Sequence, residues 1–181
     1  MKAANLFRSL QLRYFAQPKH HRALFRHIEQ TKPWRIVQIG MGRGELAKSL
    51  LEMVLRGKPA ERPRYVGIDL FESRPSSQPG LTLKEAHREV RSDQIDIRLL
   101  PGEPSTALSR LANELRGTDL VIATAAQNTK SLNGSWHLVS RILHKDSRIW
   151  LETEDGGQPI FRVLAPADIR SLIPVRKGRA A

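Results

Sequence analysis

Cysteine is absent from the 181 residues. That excludes disulfides, a thiol nucleophile and any cysteine-bound metal. No apolar run approaches the roughly 18 residues needed to span a bilayer. There are no internal repeats and no long low-complexity segment, so a solenoid or a disordered chain is not expected. Acidic residues are scarce beside basic ones, 18 against 30, which leaves a formal net charge of +12. A surplus of that size permits contact with nucleic acid or another polyanion without establishing either. The length suits one domain with a sheet covered on both faces.

What is present is organised around Arg35 to Gly44. Ile36, Val37 and Ile39 form a short apolar run of β-branched residues, which suits a strand buried in a parallel sheet. Glycines follow at 40, 42 and 44. Leu46, Leu50, Met53 and Val54 then fall on one helical face. Strand, glycine turn and helix open a nucleotide-binding βαβ unit. The glycines let backbone approach a ligand, and the helix N-terminus offers free N–H groups to an anion. After a loop with two prolines, Tyr65-Val66-Gly67-Ile68 predicts a second strand ending in Asp69, a carboxylate placed to accept from two ribose hydroxyls. The spacing allows two registers. From Gly40 the motif is Gly-x-Gly-x-Gly. From Gly42 it runs Gly-Arg-Gly-Glu-Leu-Ala47, which fits the dinucleotide fingerprint with Asp69 near the expected spacing.

Val37-Gln38-Ile39-Gly40-Met41-Gly42-Arg43-Gly44 resembles motif I of the class I S-adenosylmethionine-dependent methyltransferases. Val66-Gly67-Ile68-Asp69-Leu70 resembles their second motif. The resemblance runs from about Trp34 to Glu154 as a rhythm of strands and helices. It implies a three-layer Rossmann-like α/β fold with a mostly parallel sheet, and S-adenosylmethionine as cofactor. It implies that Gly40, Gly42 and Gly44 line the methionine part, with Met41 in the same turn. Asp69 would hold the ribose hydroxyls and Leu70 would pack near the adenine. Gln38 stands where the family usually has an acid that holds the cofactor's amino group; it can accept a hydrogen bond but brings no charge. Gly102 and Glu103, after the predicted strand Ile95 to Leu100, match the position on the adenine side. Glu103 also suits the start of a helix over Pro104 to Arg116.

Three regions are expected: a basic helical cap over 1–32, the α/β domain over 33–173 and a basic tail over 174–181. In the first, seven bases face one acid, Glu29. A first amphipathic helix carries Leu6, Phe7, Leu10 and Tyr14, and a second runs from about Lys19 to Gln30. These are expected to pack apolar stripes on the sheet, with a nucleic-acid or membrane-surface arm as the other reading. His20-His21 and His27 have no companion at metal-ligand spacing, so they are expected at the surface and no metal site is expected. Residues Leu70 to Gly80, with two prolines and a glycine, predict an irregular loop that is either a lid over the ligand or a plain connection. His87, on a helix over 81–91, is expected to be structural rather than a general base.

Strand four is predicted over Thr118 to Thr124. The loop after it offers Asn128 and Lys130 but no Asn-Pro-Pro-aromatic motif, which argues against the amino-methylating subclass. A helix is predicted over Leu132 to His144 and a strand over Arg148 to Leu151. Glu152, Glu154 and Asp155 then form an acidic loop, with a metal site or a base as the minority readings. A last strand spans Ile160 to Leu164, and a short helix Ala167 to Leu172.

The function implied is methyl transfer from S-adenosylmethionine to an unknown acceptor, small molecule or nucleic acid, in a cytoplasmic protein. No catalytic residue stands out. Two alternatives remain: a NAD-binding oxidoreductase using the Gly42 register, which lacks an evident Tyr-x-x-x-Lys pair, or a catalytically silent fold that binds nucleic acid.

Overall fold

The computed structural model describes residues 18–124, 132 and 134–173. The first predicted helix, the 174–181 tail, Asn128 and Lys130 lie outside them. Six strands form one sheet among the described residues: β1 (Arg35–Ile39), β2 (Arg64–Asp69), β3 (Asp96–Pro101), β4 (Thr118–Ala123), β5 (Leu143–Asp155) and β6 (Gln158–Leu164). Their order is β3-β2-β1-β4-β5-β6. The first five run parallel, and β6 returns antiparallel along β5.

Strand alternation sends every second side chain to each face. On one face Ile36, Tyr65, Leu120, Ile122 and Trp150 pack with helices α1 (His21–Thr31), α2 (Glu45–Arg56) and α3 (Leu83–Val90). On the other, Val37, Ile39, Ile68, Val121, Ile149 and Leu151 pack with α4 (Pro104–Leu111), α5 (Trp136–Ile142) and α6 (Pro166–Leu172). The result is a three-layer α/β/α arrangement of the Rossmann-like kind. In α1, Leu24, Phe25 and Ile28 are buried in the first of these cores, so its apolar stripe faces the sheet.

Several predicted boundaries move. Helix α4 ends at Leu111 rather than Arg116, and the chain reaches β4 through turns over 112–117. Strand β5 begins at Leu143, a position predicted to be helical, and continues through the expected acidic loop to Asp155. Pairing explains the extension. Glu152, Thr153, Glu154 and Asp155 lie opposite Phe161, Ile160, Pro159 and Gln158. The hairpin closes on Gly156 and Gly157, both at positive φ (54° and 76°). Two left-handed residues in a two-residue loop match the twist of the flanking strands, and glycine takes that conformation at no steric cost.

One glycine inside a strand has a packing reason. A Cβ on Gly67 would lie 2.5 Å from the Met41 sulfur and 2.9 Å from a Leu99 methyl. The missing side chain lets Met41, 4 % exposed, fold down from the glycine turn onto β2. Gly67→Ala is therefore expected to destabilise the fold by about 1–3 kcal/mol through overpacking. Chemical denaturation reads this as a lowered midpoint at unchanged slope; an unchanged midpoint would contradict the packing.

Candidate cofactor site

The chain leaves β1 at Ile39 and turns at once. Gly40, Gly42 and Gly44 have φ of 86°, 53° and 79°. A side chain at such angles is strained, and this run of three is what the turn requires. The Gly40 N–H donates to Ile68 O (2.8 Å), which ties the turn to β2, and Gly44 N–H donates to Met41 O (2.8 Å). Gly44 is the N-cap of α2. A Cβ on Gly42 would meet nothing within 4 Å. Gly102, after β3, has φ of 120° and equally open space at its α-carbon, and its N–H donates to Asp69 O (2.9 Å).

These features share the carboxyl edge of the sheet, since Ile39 pairs with Ile68, and Asp69 with Pro101. The order reverses between β1 and β4: β2 and β3 build outward on one side, β4 to β6 on the other. Ligands of open α/β sheets bind in the crevice at this reversal. Thr124, just past β4, closes it from the far side, its N–H on Ile39 O (2.9 Å) and its hydroxyl donating to Gly40 O (3.1 Å).

Asp69 is fully buried. Its Oδ2 accepts from the backbone N–H groups of Met41 (2.6 Å) and Gly42 (2.9 Å). Its Oδ1 accepts from Leu70 N–H (2.6 Å) and from the Arg74 guanidinium (2.5 Å). The carboxylate thus fixes the glycine turn from below, and Arg74 neutralises it with both side chains almost wholly buried, at 6 % and 1 % exposed. A Cβ on Gly80 would overlap the same guanidinium. Leu81 N–H donates to Gly42 O (2.9 Å), and a Leu81 methyl lies 2.8 Å from where a Gly44 Cβ would stand. The loop after β2 is therefore laid against the glycine turn. It starts with a short 3₁₀ turn, Phe71–Ser73, in which Phe71 is buried at φ 48°. A bulky residue in that region stores backbone strain.

Gln38 is fully buried, and both ends of its amide are engaged within the fold. Its Nε2 donates to Gly40 O (2.9 Å) and its Oε1 accepts from the Tyr65 hydroxyl (2.8 Å). Burial, with the Asp69 charge adding to it, pushes the Tyr65 phenol far above its ordinary pKa, so it stays a donor. The neutral amide that stands in the acid's place holds backbone, not the open edge. Leu70 is half-buried beside Asp69. Glu103 is exposed at the N-cap of α4 and makes no capping bond there. His87 is exposed. A separate cavity, lined by Arg35, Arg64, Asp96, Arg98 and Glu114, opens at the amino ends of β1 to β3. It lies at the far end of the sheet from the glycine turn.

The histidines expected at the surface are partly buried. His20 Nε2 lies 2.7 Å from Glu152 Oε1, with the two side chains 9 % and 14 % exposed, and His21 stands beside them. Sequence spacing could not show this, because 132 residues separate the pair.

No protein-family model matches the chain, and no curated protein does. Solved structures do. An O-methyltransferase from Bacillus cereus in complex with SAH (S-adenosylhomocysteine) is similar over 93 % of this chain and 76 % of its own, with 14 % identity and a TM-score of 0.57. A putative O-methyltransferase from Klebsiella pneumoniae is similar over 94 % and 74 %, again at 14 % identity and 0.57. The SAH-bound Podospora anserina methyltransferase PaMTH1 gives 17 % identity and 0.51 over 82 % of this chain. The chain spans 61 % of that enzyme and 34 % of the methyltransferase MycE of mycinamycin biosynthesis. At such identities the shared property is architecture: the chain has the class I methyltransferase-like Rossmann fold.

Proposed function

We propose that the protein binds S-adenosylmethionine at the carboxyl edge of β1 to β3 and transfers its methyl group to an acceptor. The observation that carries this is the glycine cradle: Gly42 and Gly102 both present bare α-carbons to open space at the point where strand order reverses. The residues fit the group. Backbone of Gly40, Gly42 and Gly44 lines the methionine part, with Met41 seating the turn. Leu70 and Glu103 flank the adenine side. Asp69 reaches the ribose hydroxyls once Arg74 withdraws from it. Gln38 acts on the Gly40 backbone and is left out of the ligand set. The cofactor, when bound, supplies an electrophilic sulfonium methyl. The chain's part is to orient the acceptor in line with it and exclude water, which needs few dedicated side chains.

The oxidoreductase reading is disfavoured by the turn itself. The strand ends at Ile39 and Gly40 already has positive φ, so the first glycine of the motif is Gly40, not Gly42. The neighbours in complex with SAH support the same choice. The net charge of +12 makes nucleic acid the first polymer to offer as acceptor.

Calorimetric titration with S-adenosylhomocysteine, S-adenosylmethionine and NADH in parallel tests the reading. Saturable binding of both sulfur nucleosides is expected. Gly42→Asn keeps a residue that tolerates positive φ but fills the cradle. It is expected to weaken that binding at least tenfold while leaving the melting temperature within a few degrees. Binding of NADH alone would overturn the assignment, as would silence from all three.

A further inference from the structure

We propose that His20, His21 and Glu152 bind one divalent transition-metal ion of the zinc class. Each offers one ligand atom, and the three atoms lie within 4.8 Å of one another. Donors on a four-coordinate zinc with bonds of about 2.0–2.1 Å stand roughly 3.4 Å apart, so adjustments of about 1.4 Å or less, with the 2.7 Å His20–Glu152 pair opening slightly, complete the tripod. Two imidazoles and one carboxylate are a borderline donor set. It suits zinc, cobalt or nickel, and not magnesium, which demands oxygens in a tight octahedron.

The placement is built by the fold. His20 and His21 begin α1, where the turn is fixed by His21 N–H on Pro18 O (3.1 Å) and Arg22 N–H on Lys19 O (3.2 Å). Successive helical positions usually diverge by about 100°. Here both rings reach the same place, with centroids 4.4 Å apart at 70°. Phe161 of β6 backs both, at 5.2 and 5.7 Å, and Phe25 stands edge-on to His21. Glu152 comes from β5, on the strand face that also carries Trp150. Phe161 thus forms an aromatic wall against both imidazoles.

A simple clamp between His20 and Glu152 would account for two of these residues. It does not account for the second imidazole, His21, whose ligand atom comes to the same place. Metal binding would replace the His20–Glu152 hydrogen bond.

The site lies at the same sheet edge as the glycine turn. Glu152 is one residue past Leu151, which pairs with Ala123, which pairs with Ile39. Two strand spacings put it about 10 Å along the edge from Gly40. The inference stands on its own donor set and does not rest on methyl transfer.

The test uses untagged full-length protein, stripped with a chelator and titrated with zinc ions alone at neutral pH. One equivalent is expected in the wild type, with a raised melting temperature. Cobalt(II) in its place should show the visible bands of a four-coordinate ion. His21→Ala and Glu152→Gln should each bind at least tenfold more weakly, and His27→Ala should bind as the wild type does. Glu152→Gln keeps the shape and an acceptor for His20, so its loss of metal would not be a loss of fold. Less than stoichiometric zinc in the wild type, or undiminished binding in either ligand variant, would overturn the assignment.

Discussion

Asp69→Ala is expected to cost about 3–5 kcal/mol of folding stability, the usual result of removing one partner of a buried ion pair. Against a total of roughly 5–15 kcal/mol, that is a large share. The loss has two parts. The Arg74 guanidinium, 6 % exposed, would keep its charge with no counter-charge. The Met41, Gly42 and Leu70 N–H groups would also lose their acceptor. A buried donor without a partner bears its full desolvation cost, so these terms do not cancel. Urea denaturation followed by circular dichroism measures the change. A shift under about 1 kcal/mol would show that the carboxylate does not organise the turn. Loss of nucleoside binding in this variant therefore reports folding as well as contact, which is why Gly42→Asn is the cleaner probe of the site.

Arg74→Ala should act in the opposite sense on the ligand. It is expected to tighten S-adenosylhomocysteine binding tenfold or more, ~1.4 kcal/mol. In the free chain the guanidinium occupies Oδ1 of Asp69, the oxygen that ribose hydroxyls would need on the proposed reading. A ligand must displace it, and apparent affinity falls by the fraction of chains in which it is displaced. The fold should tolerate the change better than Asp69→Ala, because the carboxylate keeps three backbone donors. Titration of both proteins at the same ionic strength gives the ratio. Weaker binding in the variant would mean that Arg74 touches the ligand rather than competing with it.

These two effects show where sequence reasoning reached and where it stopped. Ile36, Val37 and Ile39, then glycines at alternate positions, then a helical stripe, are local signals with a fixed period. They located β1, the turn and α2 directly. The position of Asp69 at the end of β2 was legible for the same reason. Its bonds were not, because Arg74 lies in a loop without periodicity and pairs by the path that loop takes. The full length of β5 was hidden too. His144 to Ser147 do not alternate, and the pairing with β4 shifts register between Thr118 and Leu120. Acids at Glu152 to Asp155 suggested solvent, yet a partner strand and a glycine turn made them strand. The gathering of His20 and His21 with Glu152 depends on α1 crossing the sheet near its far edge, which no local pattern encodes.

The strand order has a consequence for how the chain is made. The central pair of the sheet, β1 with β4, joins Ile36 to Leu120 and Ile39 to Ala123. During synthesis everything through Pro101 emerges while one side of β1 has nothing to pair with. That side is a row of open N–H and C=O groups flanked by Val37 and Ile39, a template for another chain. A nascent chain halted before β4 should therefore associate with itself, and the segment through β3 cannot be cut out as a stable half. Only when β4 is available is β1 paired on both sides.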